Sequence, residues 1–234
     1  MKNLKDFFIT VFGDSIGKGV VTDNGKIEII KDNAVELLQK SNSIKIDNRS
    51  IFGQSLKRIS ERGVIDKYID DITSNRQNVV VLELGGNDSD FNWRKVAENP
   101  ELDHLPQTPI EEFSRLYINA VDTLLSAGVK VVACTIVPID SGRFFNNFIG
   151  SQTDKQRVLE FFKGDYNVIH RHQEAFNNEI IKIAYQKGLR LIDLRKKFLT
   201  THVFDDLMCQ DGIHPNGKGH AEIFNAVNEF LITA

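Results

Sequence analysis

Short apolar runs alternate along the chain with longer segments whose apolar residues recur every three to four positions. Phe7–Phe12 predicts a compact strand, and Ser43–Asp47, with Ile44 and Ile46 alternating, a weaker one. Val79–Leu84 and Val129–Val137 are rich in β-branched residues and predict two strong strands, and Leu189–Ile192 a short fifth. Nearly continuous apolar runs suit strands buried on both faces of a parallel sheet. Between them the helical period appears. Asp32–Lys40 brings Ala34, Val35, Leu37 and Leu38 close to one face, with Asp32 as the expected cap. Ile110–Ala127 carries Phe113, Leu116, Tyr117, Ala120, Val121 and Leu124 at helical spacing and should end at Gly128. His170–Lys187 repeats the scheme up to Gly188, and Gly217–Ile232 predicts the last helix. Strand and helix in alternation imply parallel pairing with helices on both faces of the sheet.

Two segments break the alternation. Ser89–Pro109 holds Trp93 and three prolines and predicts a long irregular loop. Ile139–Asn167 predicts a Gly- and Asn-rich stretch, then a short helix near Asp154–Lys163. Both follow strands at the carboxyl edge of the expected sheet, where such sheets bind ligands, and loops of this length are commonly functional. No repeat, linker or low-complexity tract divides the chain, so residues 1–234 are expected to form one domain with these two insertions beside the site.

Composition narrows the function classes. With 41% hydrophobic and 26% charged residues, 234 residues can build a sizeable core without metal or disulfide staples. A net charge of -3 lacks the basic footprint of a nucleic-acid binder. No apolar run reaches the roughly 20 residues of a membrane span. Met1–Val11 has two lysines before Phe7-Phe8-Ile9, but its apolar stretch is too short for a leader, and it reads as the first strand. Only Cys134 and Cys209 are present; a pair this sparse demands no disulfide and fits a reducing, cytoplasmic setting.

Four short motifs carry candidate chemistry. Gly13-Asp14-Ser15-Ile16-Gly17 directly follows the first strand, placing a serine on a Gly-permitted turn at the sheet edge. It matches the G-x-S-x-G nucleophile elbow formally, but only twelve residues precede Gly13, and that fold needs an upstream strand and loop. A phosphate loop requires a different spacing and a Ser or Thr after the lysine. A turn whose Asp14 and Ser15 merely cap a helix remains open. Leu84-Gly85-Gly86-Asn87-Asp88 ends the strongest strand; it is either an ordinary turn or a place where the Asn87 amide donates into a site. Asp211-Gly212-Ile213-His214 opens the last helix; the acid can hold the imidazole through Nδ1–H and leave Nε2 to take a proton, or the histidine is a bystander in a helix-start loop with Asn216 as cap. Gly53, after the second strand, could offer a backbone N–H to an oxyanion or simply form a turn. All four fall at one expected edge, and together they supply a nucleophile, a base, an orienting acid and oxyanion donors, the set that acyl transfer needs.

The ordered set Gly13-Asp14-Ser15, Gly53, Gly85-Gly86-Asn87-Asp88 and Asp211-Gly212-Ile213-His214 resembles the SGNH, or GDSL-like, hydrolases. Ile16 stands where the family nickname has Leu. The resemblance spans residues 7 to about 230. It implies an α/β fold: a three-layer α/β/α sandwich with a five-stranded, mostly parallel, flavodoxin-like sheet. It implies Ser15, Asp211 and His214 as the catalytic residues, and Ser15 N–H, Gly53 N–H and Asn87 as the oxyanion hole. It implies no metal or organic cofactor. Its substrates are small-molecule esters: short acyl or acetyl esters of carbohydrates, or longer acyl chains as in lysophospholipases and thioesterases. A non-catalytic binding module on the same fold is a remote third reading.

His170 and His172 lie two apart on a helix and should point to different faces, which disfavours a shared metal with Glu174. Phe144, Phe145, Phe148, Phe161 and Phe162 are either core or an acyl-binding wall or lid. Arg143 could meet an anionic group or lie in solvent.

Overall fold

The computed structural model describes residues 6–23, 25–72 and 77–232. The lysines at 2 and 5 lie outside the described residues. Among the described residues there are seven strands: β1 (Phe7–Gly13), β2 (Val20–Asp23), β3 (Lys26–Ile29), β4 (Ile46–Asn48), β5 (Gln77–Glu83), β6 (Lys130–Cys134) and β7 (Arg190–Ile192). Five form a wholly parallel sheet in the order β4-β1-β5-β6-β7, while β2 and β3 pair as a separate antiparallel hairpin. Counting only the strands of the large sheet, this is the flavodoxin-like order 2-1-3-4-5.

Helices fill the connections. They are α1 (Ser15–Lys18), α2 (Ala34–Asn42), α3 (Leu56–Glu61), α4 (Val64–Asp71), α5 (Trp93–Glu98), α6 (Ile110–Ser126) and α7 (Ser141–Arg143). After a π-helical segment, Phe144–Ile149, come α8 (Gly150–Gln152), α9 (Lys155–Phe161), α10 (Val168–Gln186), α11 (Leu194–Leu199), α12 (Phe204–Leu207) and α13 (Gly217–Ile232).

The strand period of two explains the layers. Phe12, Val80, Leu82, Val131 and Ala133 enter one core with side chains of α3, α4, α6 and α10. Their strand neighbours Val11, Val79, Val81, Val132 and Cys134 face the other way, toward α2, α11 and α13. A third cluster joins Trp93, Val96, Phe144, Phe145, Val158 and Phe162, so the two insertions pack on each other beside the sheet. The chain leaves β1 for β4 on one side, then returns to β5 on the other. The crevice at the carboxyl ends of β1 and β5 is therefore the topological switch point, the expected ligand position in such sheets.

Several expectations are corrected. Asn33, not Asp32, caps α2: its side chain accepts from Glu36 N at 3.1 Å, while Asp32 pairs with Lys40. Ser89–Pro109 is not irregular throughout, because Trp93–Glu98 forms a helix with Asn92 as cap. The strand expected to run to Val137 stops at Cys134, and Ile136 N donates instead to the Asn177 side chain at 3.0 Å. Arg143, expected in solvent or against a ligand anion, is partly exposed and held by protein partners. It pairs with Asp140 and donates to the carbonyls of Asp205 and Met208. The hairpin β2–β3 and helices α3 and α4 were not anticipated. Cys134 and Cys209 are both buried, and Cys209 Sγ accepts from Thr22 N at 3.4 Å. Among the described residues no helix is long and apolar enough to cross a membrane.

Candidate active site

Ser15 is the first residue of α1, two residues beyond the end of β1. Its turn is held from three directions. Asp14 caps α1, its Oδ1 accepting from Ile16 N at 2.8 Å. The Glu83 carboxyl, at the end of β5, accepts from the backbone N–H of Asp14 (3.2 Å) and of Gly17 (3.1 Å). Side chains crowd both glycines of the turn: a Cβ on Gly13 would lie 2.7 Å from both the Glu83 carboxyl and Ser50 Oγ, and one on Gly17 would lie 2.9 Å and 2.6 Å from them.

Asn87 follows β5, and its amide donates to Asp14 Oδ2 at 3.0 Å. One carboxyl thus ties the first turn of α1 to the side chain of Asn87. Burial pushes Asp14 up to about 6, against the bond from Ile16 and the influence of His214. Burial, reinforced by the nearby Asp14 charge, raises Glu83 well above the usual carboxylate range. Two acids pressed together under a serine are costly to keep, and such placements cluster at functional sites.

Asp88 points away from the crevice. Its buried carboxyl accepts from Leu56 N (2.8 Å), Lys57 N (3.3 Å) and Thr108 Oγ1 (2.6 Å). It therefore pins the start of α3 to the segment before α6. Asp88→Ala should lower stability by about 3 kcal/mol, because buried donors lose their acceptor. A urea midpoint within error of the wild type would refute this.

Gly53 has φ 67, a conformation that favours glycine, in a turn closed by Gln54 N donating to Ile51 O. Gly53 and Asn87 line the same pocket as Ser15.

His214 comes from the loop before α13. That loop is fixed by Cys209 N donating to His214 O (2.8 Å), by Asn216 N donating to Leu207 O (2.8 Å), and by Asn216 Oδ1 accepting from Lys218 N (2.9 Å) at the helix start. Gly212 has φ 73, and a Cβ there would lie 2.6 Å from both Asp140 O and Phe144 N. The glycine between acid and histidine thus lets this loop dock on the second insertion. His214 Nε2 lies 2.9 Å from Ser15 Oγ, and Nδ1 lies 2.6 Å from Asp211 Oδ2. Asp211 Oδ1 accepts from the backbone N–H of Ile213 (2.9 Å) and His214 (3.1 Å). Burial alone would raise Asp211, but the bond to His214 and these N–H groups overcome it and hold the carboxyl below its ordinary value. Ser15 and His214 are 6% and 5% exposed, so the hydrogen bonds act with little competition from water.

The structure brings together all five residues expected from the sequence. It adds three. Thr22, in β2, donates its hydroxyl to Asp211 Oδ2 at 2.7 Å. Glu83 supports the serine turn; the signal in the sequence was a carboxylate inside the apolar run Val79–Leu84. Asp14 is both helix cap and strut. Phe52 stacks over His214 with ring centroids 6.2 Å apart. The pocket, about 160 Å³, is walled farther out by Phe91, Trp93, Phe144 and Phe148. The aromatic insertion is therefore part core and part pocket wall.

No curated protein matches the chain. Solved structures do. A member of the lipolytic G-D-S-L family from Veillonella parvula DSM 2008 is similar at 16% identity, with 97% of this chain and 100% of that one covered and a TM-score of 0.67. The acetyl xylan esterase AlAXEase is similar at 20% identity, 95% and 98% coverage and a TM-score of 0.64. TesA is similar at 19% identity, 96% and 97% coverage and a TM-score of 0.60. These likenesses establish the fold. The model of the GDSL-like lipase/acylhydrolase family matches residues 11–222, from within β1 into α13, and the chain belongs to that family.

Proposed function

We propose that this chain, one domain over residues 1–234, is a serine hydrolase that cleaves carboxylic esters through an acyl-enzyme. The observation that carries the reading is the unbroken hydrogen-bonded line from Ser15 Oγ through His214 to Asp211, opening into a pocket that Asn87 and Gly53 also line. His214 Nε2 takes the Ser15 proton as Oγ attacks the ester carbonyl carbon. The resulting oxyanion is met by the N–H groups of Ser15 and Gly53 and by the Asn87 amide. Collapse breaks the ester C–O bond, and the departing alkoxide takes the proton from His214. Water then attacks the acyl-enzyme, its proton passing to His214 and on to Ser15 as the carboxylic acid leaves. Asp211, held by Thr22 and two backbone N–H groups, stabilises the imidazolium between these steps. No step calls on a cofactor, and a cytoplasmic setting fits a chain with only two cysteines.

Asn87→Ala should lower kcat by on the order of 10²–10³ while leaving KM little changed, since the lost donor serves the oxyanion rather than the ground-state carbonyl. Near-normal turnover of p-nitrophenyl acetate by that variant would remove Asn87 from the site.

Short acyl groups, above all acetyl, carried on a carbohydrate or another small molecule are the substrates this pocket suits best. Its wall mixes polar side chains, including Asp90, His172 and Gln173, with the aromatic rings. The likeness to an acetyl xylan esterase agrees with this reading. Phe144 and Phe148 favour a second reading, in which a longer acyl chain lies along the aromatic wall. A chain-length series of p-nitrophenyl esters separates the two. Highest kcat/KM on the acetate supports the first; a maximum at octanoate or beyond replaces it with the second.

A further inference from the structure

We propose that Asp90, His172 and Gln173 form a polar subsite that holds a hydroxylated ring, a sugar or polyol, on the alcohol side of the ester. The inference rests on the proposed action on short acyl esters, which leaves the alcohol portion to fill most of the pocket.

Two separate stretches of chain deliver these groups to one wall. Asp90 sits on the segment after β5, three residues beyond Asn87. Its Oδ1 accepts from Trp93 Nε1 at 2.9 Å, which locks carboxyl and indole together at the pocket edge. Burial pushes Asp90 up to about 7, and in either protonation state the carboxyl has more acceptor positions than the Trp93 and Phe91 N–H bonds use, so capacity remains for a ligand hydroxyl. His172 and Gln173 come from α10. Ile169, His172 and Gln173 are spaced i, i+3, i+4, which puts all three on the helix face that lines the pocket. His170 lies on another face, where its Nε2 is 3.4 Å from Arg195 Nη2. The two histidines therefore share no site, as their spacing implies.

The His172 ring packs against Phe91 (4.8 Å between centroids) and Phe176 (5.3 Å). Its Nε2 is buried and has no hydrogen-bond partner. A buried polar atom without a partner is uncommon in a native structure and asks for an explanation. Burial lowers the imidazole below its ordinary value, so it stays neutral and can either donate to or accept from a hydroxyl. The Gln173 carbonyl oxygen already accepts from Arg195 at 3.0 Å, which leaves the amide N–H group as what this side chain offers. Acceptor, ambivalent ring and donor thus lie on one wall, beside the Phe91–Trp93 pair at 5.3 Å. Vicinal hydroxyls on a ring with an apolar face match such a wall. An alkyl chain does not, because it would cover these groups and satisfy none of them.

The test compares kcat/KM for methyl mono-O-acetyl-xylopyranoside with that for hexyl acetate, in the wild type and in Asp90→Asn, His172→Phe and His172→Gln. The ratio of the two substrates is the readout, so a partly unfolded preparation lowers both values and leaves it unmoved. The wild type should prefer the xyloside. Asp90→Asn, which keeps an acceptor for Trp93, and His172→Phe, which keeps the ring packing, should each lower the ratio on the order of tenfold. His172→Gln should recover part of that loss. A ratio unmoved by both variants, or a wild-type preference for hexyl acetate, overturns the subsite while Ser15-dependent turnover still stands. Absence of Ser15-dependent turnover on either ester overturns the subsite together with the esterase reading beneath it.

Discussion

Ser15→Ala should lower kcat on p-nitrophenyl acetate by roughly 10⁶, to the level supported by the oxyanion donors alone. The size of the loss follows from the geometry. Ser15 Oγ is the atom that His214 Nε2 reaches, at 2.9 Å, and its turn is braced by Asp14 and Glu83 rather than by the hydroxyl itself. Alanine therefore removes the nucleophile and leaves the brace. The variant should keep an unfolding free energy, measured by urea titration, within about 1 kcal/mol of the wild type. A drop of less than a hundredfold in a well-folded variant would mean that another group attacks the ester.

The next largest effect is expected from Asp211→Asn, about 10⁴ in kcat. Asp211 Oδ1 faces two backbone N–H groups, those of Ile213 and His214, and only an oxygen can satisfy them. The amide oxygen must take that position, which turns the amide nitrogen toward His214 Nδ1. Nδ1 then accepts instead of donating, and the ring proton moves to Nε2. The imidazole can no longer take the proton of Ser15. Thr22, which donates to the same carboxylate oxygen, can rotate its hydroxyl to accept, so the loop should stay folded. Steady-state kinetics with a thermal melt checks both halves. Loss of activity together with collapse of the melt would make Asp211 a structural residue instead.

The sheet was readable because its signal is redundant. Val79, Val80, Val81 and Leu82 are apolar on both faces, and both faces are buried by helices. The site was readable for a different reason: Gly13, Gly53 and Gly212 mark places where the backbone must turn or where other groups crowd in, and the reactive side chains sit next to them. The modest readings of these motifs also hold. Asp14 does cap a helix, and so does Asn216, while Ser15 and His214 close by line the pocket. Capping and chemistry coincide because a helix start is where a backbone turn and a fixed side chain are found together.

What escaped the sequence has equally physical causes. The β2–β3 hairpin is short, and although Val20 and Val21 of β2 are buried, β3 is exposed throughout, Ile27 and Ile29 included, so no alternating core-facing pattern marks it. Thr22 is one β-branched residue among many; only the fold brings it to Asp211, 189 positions away. The helix Trp93–Glu98 was hidden by the prolines that follow it, although Asn92 was an available cap. The Asp32 cap was displaced by one residue because Asn33 is an equally good acceptor. The polar wall at Asp90 and His172 arises from two segments 82 positions apart, each unremarkable on its own.

The central claim, that Ser15 is the nucleophile, is met most directly by labelling the protein with a fluorophosphonate and mapping the adduct by peptide mass spectrometry. The account predicts a single adduct, on the peptide containing Ser15, and none in Ser15→Ala. An adduct on any other serine, or one that persists in Ser15→Ala, would contradict it.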